Sequence, residues 1–299
     1  MASPPEGSEK RMEAIDHLLN KIIREIKELP PLPDVVVKVM QITRSPDVTA
    51  RQLNKVISQD QGLTGNVLRL CNSAYYGLPR AVSSLSQAVM YLGFHTIRNL
   101  ILTCSISNLF SMEKKNYGYS RGGLWYHSVT TAMISEFICK KINPDLRDTV
   151  FTAGLLHDIG QVIMGVKLKD TTETIVDLMT NNGLSDVEAE HEAVGFSHDE
   201  LGSLVADNWN FPDELVHAIR YHHFPEKAKT KLDLTSIVHL GDSIALQLGF
   251  GVELEQMKYP ARDFALEATK LSRQDLETLT EEARELVEKN AESFLLRSS

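Results

Sequence analysis

A histidine followed at once by an aspartate lies inside an apolar run, Leu155-Leu156-His157-Asp158-Ile159-Gly160. Any fold that buries this run must bring partners to the pair, because an unpaired buried polar group costs about 2–7 kcal/mol and a charge costs more. Candidate partners are spread along the chain: His127, His198, His222, His223 and Asp242. These are the residue types that hold a divalent cation through nitrogen and oxygen. Taken alone, each has a plainer reading. His157-Asp158 reads as a structural hydrogen-bonded pair, His127 as a core histidine, and His222-His223 as an exposed helix end. Their collection points to a metal cage. His17, His95, His191 and His217 read as ordinary surface or core histidines. His239, one turn before Asp242, reads as a supporting or packed group.

Helical patterning dominates the rest of the chain. Residues 1–9 read as disordered, and 11–28 place Ile15, Leu18, Leu19, Ile22, Ile23 and Ile26 on one helical face. Leu29-Pro30-Pro31-Leu32-Pro33 ends that helix, since proline lacks the amide donor. Capping boxes predict later starts at Thr49…Gln52, Ser84…Gln87, Ser185…Glu188 and Ser197…Glu200. Pro144 and Pro212 sit where proline suits a helix start. Gly93 and Gly183 sit where helices can stop, and Gly202 marks a close approach. Val35-Val36-Val37 continues at helical spacing, and no region alternates with period two. The expectation is an all-α protein of about a dozen helices, with no internal repeat. The predicted organisation is an N-terminal tail over 1–20, a helical lobe over 21–115, a metal-site lobe over 116–250, and a C-terminal extension over 251–299. The polar, glycine-rich stretch 114–123 connects the lobes. The extension includes a glutamate-rich helix from Ser272 to about Leu296, read as a solvated covering helix in preference to a partner-binding one.

On a continuous helix His157 and Asp158 point about 100° apart. They cannot share one face, but they can straddle a site at its edge, with the aspartate bridging two ions. The absence of thiolates among the candidates favours Fe, Mn, Ni, Zn or Mg. Cys71, Cys104 and Cys139 are far apart and form no CxxC, which fits small buried thiols in a reducing compartment. A net charge of −9 argues against nucleic acid or anionic lipid as partner. With no signal-peptide pattern and no continuous apolar stretch of membrane-spanning length, the expectation is a soluble, cytoplasmic protein.

The order His127, His157-Asp158, His198, His222-His223, Asp242 resembles the HD superfamily of metal-dependent phosphohydrolases, and its spacing is closest to the HD-GYP subgroup. Four further blocks resemble the HDOD domain, the HD-related output domain of bacterial signalling. They are Leu29-Pro30-Pro31-Leu32-Pro33, Val56-Ile57-Ser58-Gln59-Asp60, Leu68 to Gly77 with its Asn72-Ser73-Ala74-Tyr75-Tyr76-Gly77, and Ala88-Val89-Met90-Tyr91-Leu92-Gly93. The likeness runs from about 24 to 245. It implies an HD-like helical bundle with an N-terminal helical lobe, used as a regulatory module. Many members of that family lack the metal ligands, whereas this chain keeps what looks like a full set.

Three positions depart from the hydrolytic pattern. Gln161 stands where those enzymes usually carry a lysine, no Gly-Tyr-Pro follows His222-His223, and Gly123 occupies the place of a glutamate that holds a third metal. The resulting expectation is a signalling module with one or two divalent ions, acting through a protein partner or a nucleotide-type ligand. The alternative is a phosphohydrolase for a cyclic dinucleotide or nucleotide, with Asp158 central and Lys167 or Arg220 as candidate phosphate contacts. A sensor that binds a nucleotide without cleaving it is a third reading. No receiver or sensor domain is seen, so input is expected through another chain or a small ligand.

Overall fold

The computed structural model describes residues 34–42, 48–57, 60–111, 118–120 and 122–294. The expected helix over 11–28, the proline segment 29–33, Ser58-Gln59, half of the 114–123 connection and Leu296 lie outside them. Fourteen α-helices are present among the described residues: α1 Asp34–Ile42, α2 Ala50–Ile57, α3 Gln61–Cys71, α4 Leu85–Ser111, α5 Gly123–Ile142, α6 Arg147–Leu156, α7 Ile159–Lys167, α8 Thr172–Asn182, α9 Asp186–Val194, α10 His198–Asn208, α11 Asp213–Tyr221, α12 Leu232–Gln247, α13 Asp263–Thr269 and α14 Arg273–Asn290. An isolated antiparallel bridge, Tyr119 with Val252, is the extended pairing found among them. The all-α expectation holds.

The local signals act where they were read. Thr49 and Gln52 cap α2 reciprocally, at 2.9 and 3.3 Å. Ser185 and Glu188 do the same for α9, and Ser272 with Asp275 for α14. Gly93 breaks α4 with φ 80°, and Gly183 closes α8 with φ 69°. In α14 the buried stripe is Leu279, Ala283 and Val287, so this glutamate-rich helix covers the bundle with one face and meets solvent with the other.

Helices α1–α4 contribute Leu53, Ile57, Val67, Leu70, Leu85 and Ala88 to the core. The Asn72–Gly77 block joins them to the later helices. The Asn72 amide exchanges two bonds with the Val82 backbone, at 2.7 and 2.9 Å. Tyr75 donates to Glu136 of α5, which also pairs with Arg147 at 2.7 Å.

Helices α6 and α12 lie closely against α5. A Cβ on Gly154 of α6 would stand 2.9 Å from the Ala132 backbone, and one on Gly241 of α12 would stand 2.1 Å from the Ser135 hydroxyl. Only glycine allows these crossings. They set His157, one turn past Gly154, and Asp242, next to Gly241, beside His127 on α5.

One expectation is corrected. His157 and Asp158 do not lie in an unbroken helix. The helix ends at Leu156, Asp158 adopts φ −97° and ψ 17°, and α7 restarts at Ile159. That dihedral pair falls in the sparsely used bridge region, where many active-site residues sit. The break removes the 100° divergence and turns both side chains inward. The stretch Thr149–Lys167 has the length and mean hydropathy of a membrane span, yet it is broken at His157-Asp158 and 89% of its most apolar window is buried inside the protein. Its apolar side chains serve the core.

Candidate metal centre

The structure brings all seven predicted residues to one point. His127, His157, His198 and His222 are fully buried, and Asp158, His223 and Asp242 are 3%, 7% and 1% exposed. They come from α5, the α6–α7 break, the first residue of α10, the turn after α11, and α12.

Asp158 divides them into two groups. Its Oδ2 lies 3.3 Å from His157 Nε2 and 3.7 Å from His127 Nε2. Its Oδ1 lies 3.3 Å from His198 Nε2 and 3.6 Å from His222 Nε2. Asp242 Oδ1 completes the first group at 2.9 Å from His127 Nε2 and 3.4 Å from His157 Nε2. His223 Nε2 completes the second at 2.8 Å from His198 Nε2. Ligand atoms about 2.1 Å from one ion stand roughly 3.0–3.4 Å from each other, and these separations fall around that range.

Outer contacts fix which nitrogens face inward. His157 Nδ1 donates to the Gly154 carbonyl and His222 Nδ1 to the Ile219 carbonyl, both at 2.7 Å. The two rings repeat one device, a histidine at a helix end bonded back three residues. His198 Nδ1 meets both oxygens of the buried Glu190 at 2.9 Å, and Glu190 also accepts the His198 amide at 2.7 Å. A carboxylate behind an imidazole orients it and makes it a better ligand. The Nε2 lone pairs therefore converge on carboxylate oxygens, acceptor against acceptor. His222 Nε2 and Asp242 Oδ1 make no hydrogen bond at all. A divalent cation resolves this arrangement, so the donor set fits a metal.

Protons take that place in the metal-free protein. Burial opposes a charge on His157, but Asp158 and Asp242 outweigh it and push its pKa up to about 10. His198 is raised as well, with Glu190 and Asp158 overcoming burial. Burial works against ionising Asp158 and Asp242, yet the His157 charge holds both well below the usual carboxylate range. The raised His157 stabilises the metal-free fold below its ordinary value of 6.5, and that contribution is lost as pH rises through about 10. Metal binding needs neutral imidazoles and must displace these protons. Uptake is therefore expected to strengthen as pH rises between these two values, by up to about tenfold per unit for each proton released. Calorimetric titration with Zn in buffers of different ionisation enthalpy measures both the affinity and the proton count.

Other residues at the site were not visible in the sequence. Tyr119 donates to Asp158 Oδ2 at 2.8 Å, and Tyr259 donates to Asp242 Oδ2. Burial and the adjacent carboxylates raise both phenols well above their ordinary pKa, so they remain donors. His239 is not a ligand. Its Nδ1 donates to the His222 carbonyl at 2.7 Å and its Nε2 accepts the Arg262 amide at 3.0 Å, which pins the double-histidine turn.

The departures from a hydrolytic pattern have physical causes. Gln161 is fully buried, with its amide 3.4 Å from His198 Nδ1. A Cβ on Gly123 would stand 2.2 Å from the Gly251 carbonyl, so the position admits no side chain without rearrangement. Arg220, a candidate phosphate contact, pairs instead with Asp199 and Glu200, at 2.6 Å each. Lys167, the other candidate, ends α7 and lies about 13 Å of helix rise from Asp158.

The HDOD domain family model matches residues 29–225. An HDOD domain protein of unknown function from Geobacter sulfurreducens is similar in structure, with a TM-score of 0.75 and 27% identity, covering 93% of this chain and 98% of that one. A Shewanella amazonensis SB2B protein named as a candidate phosphohydrolase shares the fold, with a TM-score of 0.71 and 24% identity over 91% and 96% of the two chains. An uncharacterised protein of Treponema pallidum (strain Nichols) is 23% identical over 75% of this chain and 44% of its own length. Ribonuclease Y of Geobacter sulfurreducens is 24% identical over 67% of this chain and 32% of its own. The chain thus spans less than half of these curated relatives.

Proposed function

The chain belongs to the HDOD domain family, and from that premise we propose that it is a regulatory output module of bacterial signalling whose helical bundle is stapled by divalent metal. His127, His157, Asp158 and Asp242 would hold one ion, and Asp158, His198, His222 and His223 would hold a second where two are bound. The observation that carries this reading is the placement of Asp158, whose two carboxylate oxygens each face a separate cluster of imidazoles in the interior. A divalent cation there supplies strong electrostatic cross-links between segments far apart in sequence, and, where a substrate reaches it, Lewis acidity. The set lacks thiolates, and Fe, Mn, Ni, Zn and Mg all remain compatible with it. The output passes to a signalling protein or a nucleotide-type ligand.

The buried Gln161, the engaged Arg220 and the filled space at Gly123 support regulation over hydrolysis, because among the described residues neither candidate contact, Arg220 nor Lys167, is placed to grip a phosphate. The complete ligand set favours the second reading, a phosphohydrolase. Metal content of the native protein, measured with turnover of bis(p-nitrophenyl) phosphate and cyclic dinucleotides, separates the two. The expected result is bound metal with no product. Turnover above background that disappears in Asp158→Ala makes the chain an enzyme, and protein that takes up no metal removes both readings.

A further inference from the structure

Two phenols and one backbone strap lie over the centre, and the metal cage itself does not require them. Tyr119 reaches Asp158 from the short segment 118–120, and Tyr259 reaches Asp242 from the connection between α12 and α13, just past a 3-10 turn at Glu255–Met257. The rings also face the imidazoles. Tyr119 lies 5.6 Å from the His127 ring, and Tyr259 lies 5.2 Å from His223 and stacks on His239 at 5.4 Å.

The two segments are tied to each other. Ser120 donates its amide to the Gly251 carbonyl at 3.1 Å, and Glu253 donates to the Gly118 carbonyl at 2.7 Å. The Met257 side chain fills the space above Gly118, where a Cβ would meet its sulfur at 2.0 Å. Further along the same stretch, Arg262 donates from Nε to the His223 carbonyl at 2.7 Å and from its amide to His239 at 3.0 Å. Residues 251–262 thus touch Asp242, the double-histidine turn and, through the bridge, the tyrosine on Asp158.

We infer that Tyr119 and Tyr259 are positioning residues of the metal centre, and that the strap 251–262, which carries one and clasps the other, makes metal retention depend on its docking. The inference rests on the metal-binding reading above. Tyr259 occupies the outer oxygen of Asp242, and Tyr119 donates to Asp158 Oδ2, the oxygen that also faces His127 and His157. The two bonds fix the planes of both carboxylates, leaving Oδ1 of Asp242 and a remaining lone pair of Asp158 Oδ2 to the cation. A carboxylate that loses this donor is free to rotate and to bind water in its place. Because the strap also lies on the surface, a partner that lifted it would loosen both aspartates together. Metal occupancy and surface conformation would then be linked reciprocally.

The test uses the full chain loaded with Co(II), with release followed into excess chelator. Tyr119→Phe and Tyr259→Phe keep the rings and remove one hydrogen bond each. A hydrogen bond to a charged group corresponds to roughly tenfold, so each variant should release metal about ten times faster and the double variant about a hundredfold. The Co(II) absorption envelope should change in both, whereas a merely structural role would lower the melting temperature of the metal-free protein and leave the spectrum alone. Arg262→Met, which touches neither aspartate, should also speed release and expose the Ser120 and Glu253 amides to hydrogen exchange. Bound cobalt with unchanged release and spectra in all three variants overturns the inference while leaving the metal reading intact. Wild-type protein that binds no cobalt overturns both.

Discussion

Removing divalent metal is expected to lower the melting temperature by about 10 °C. The cage joins five segments, and the unfolded chain has no preformed site, so the binding free energy appears as folding free energy. An ion present at about a thousand times its Kd stabilises by roughly 4 kcal/mol. For a domain of this size each kcal/mol shifts the melting point by roughly 2–4 °C. The metal-free protein is expected to stay folded on its apolar core, with the carboxylates beside His157 and His198 favouring protonated rings that offset part of the loss. The difference between loaded and stripped protein should therefore grow from mildly acidic to mildly alkaline pH, as the metal gains and the protons lose. Scanning calorimetry of native, chelated and reloaded protein at two pH values measures it. Identical melting curves would show that the seven side chains form only a polar core.

The seven side chains of the candidate site were legible in the sequence as a collection, because two places stand out and the order of the rest resembles a known pattern. His157-Asp158 interrupts an apolar run and Asp242 breaks an otherwise apolar helix, and a buried charge calls for a partner. The groups around them carried no such signal. Glu190 lies eight residues before His198 across the Gly195 turn, so no helical spacing relates the two. Tyr119 sits in a glycine-rich stretch that composition marks as a connection. Tyr259 belongs to a segment beyond the bundle, and only the Tyr119–Val252 bridge shows why it turns back. The break at Asp158 was hidden for a different reason. Neither proline nor glycine occupies positions 157–159, and hydrophobic periodicity continues across the interruption. Its cause is tertiary: the following turn must fit against α10.

That fit yields the second large prediction. Gly160 lies where α7 crosses the start of α10, and a Cβ there would stand 1.9 Å from the His198 carbonyl oxygen and 2.8 Å from the Gly202 amide nitrogen. Both obstacles are backbone, so no side-chain rotation relieves them. Gly160→Ala should gain nearly 1 kcal/mol of helix propensity and still destabilise the metal-free protein by a net of about 3 kcal/mol. It should also weaken metal binding, since the displaced residue is itself His198, and the shift pulls its Nε2 away from Asp158 and His223. Gly202→Ala is the informative control on the same crossing. Its added carbon would meet the Ile219 methyl at 3.0 Å and the Gly160 amide nitrogen at 3.1 Å, contacts that a small shift can relieve. That variant should lose only about 1 kcal/mol and keep its metal. Denaturant unfolding of the two stripped variants, followed by metal titration of each, compares them directly. Equal losses would mean that the crossing tolerates displacement, and that His198 is held by Glu190 and its own helix with no help from the glycine beneath it.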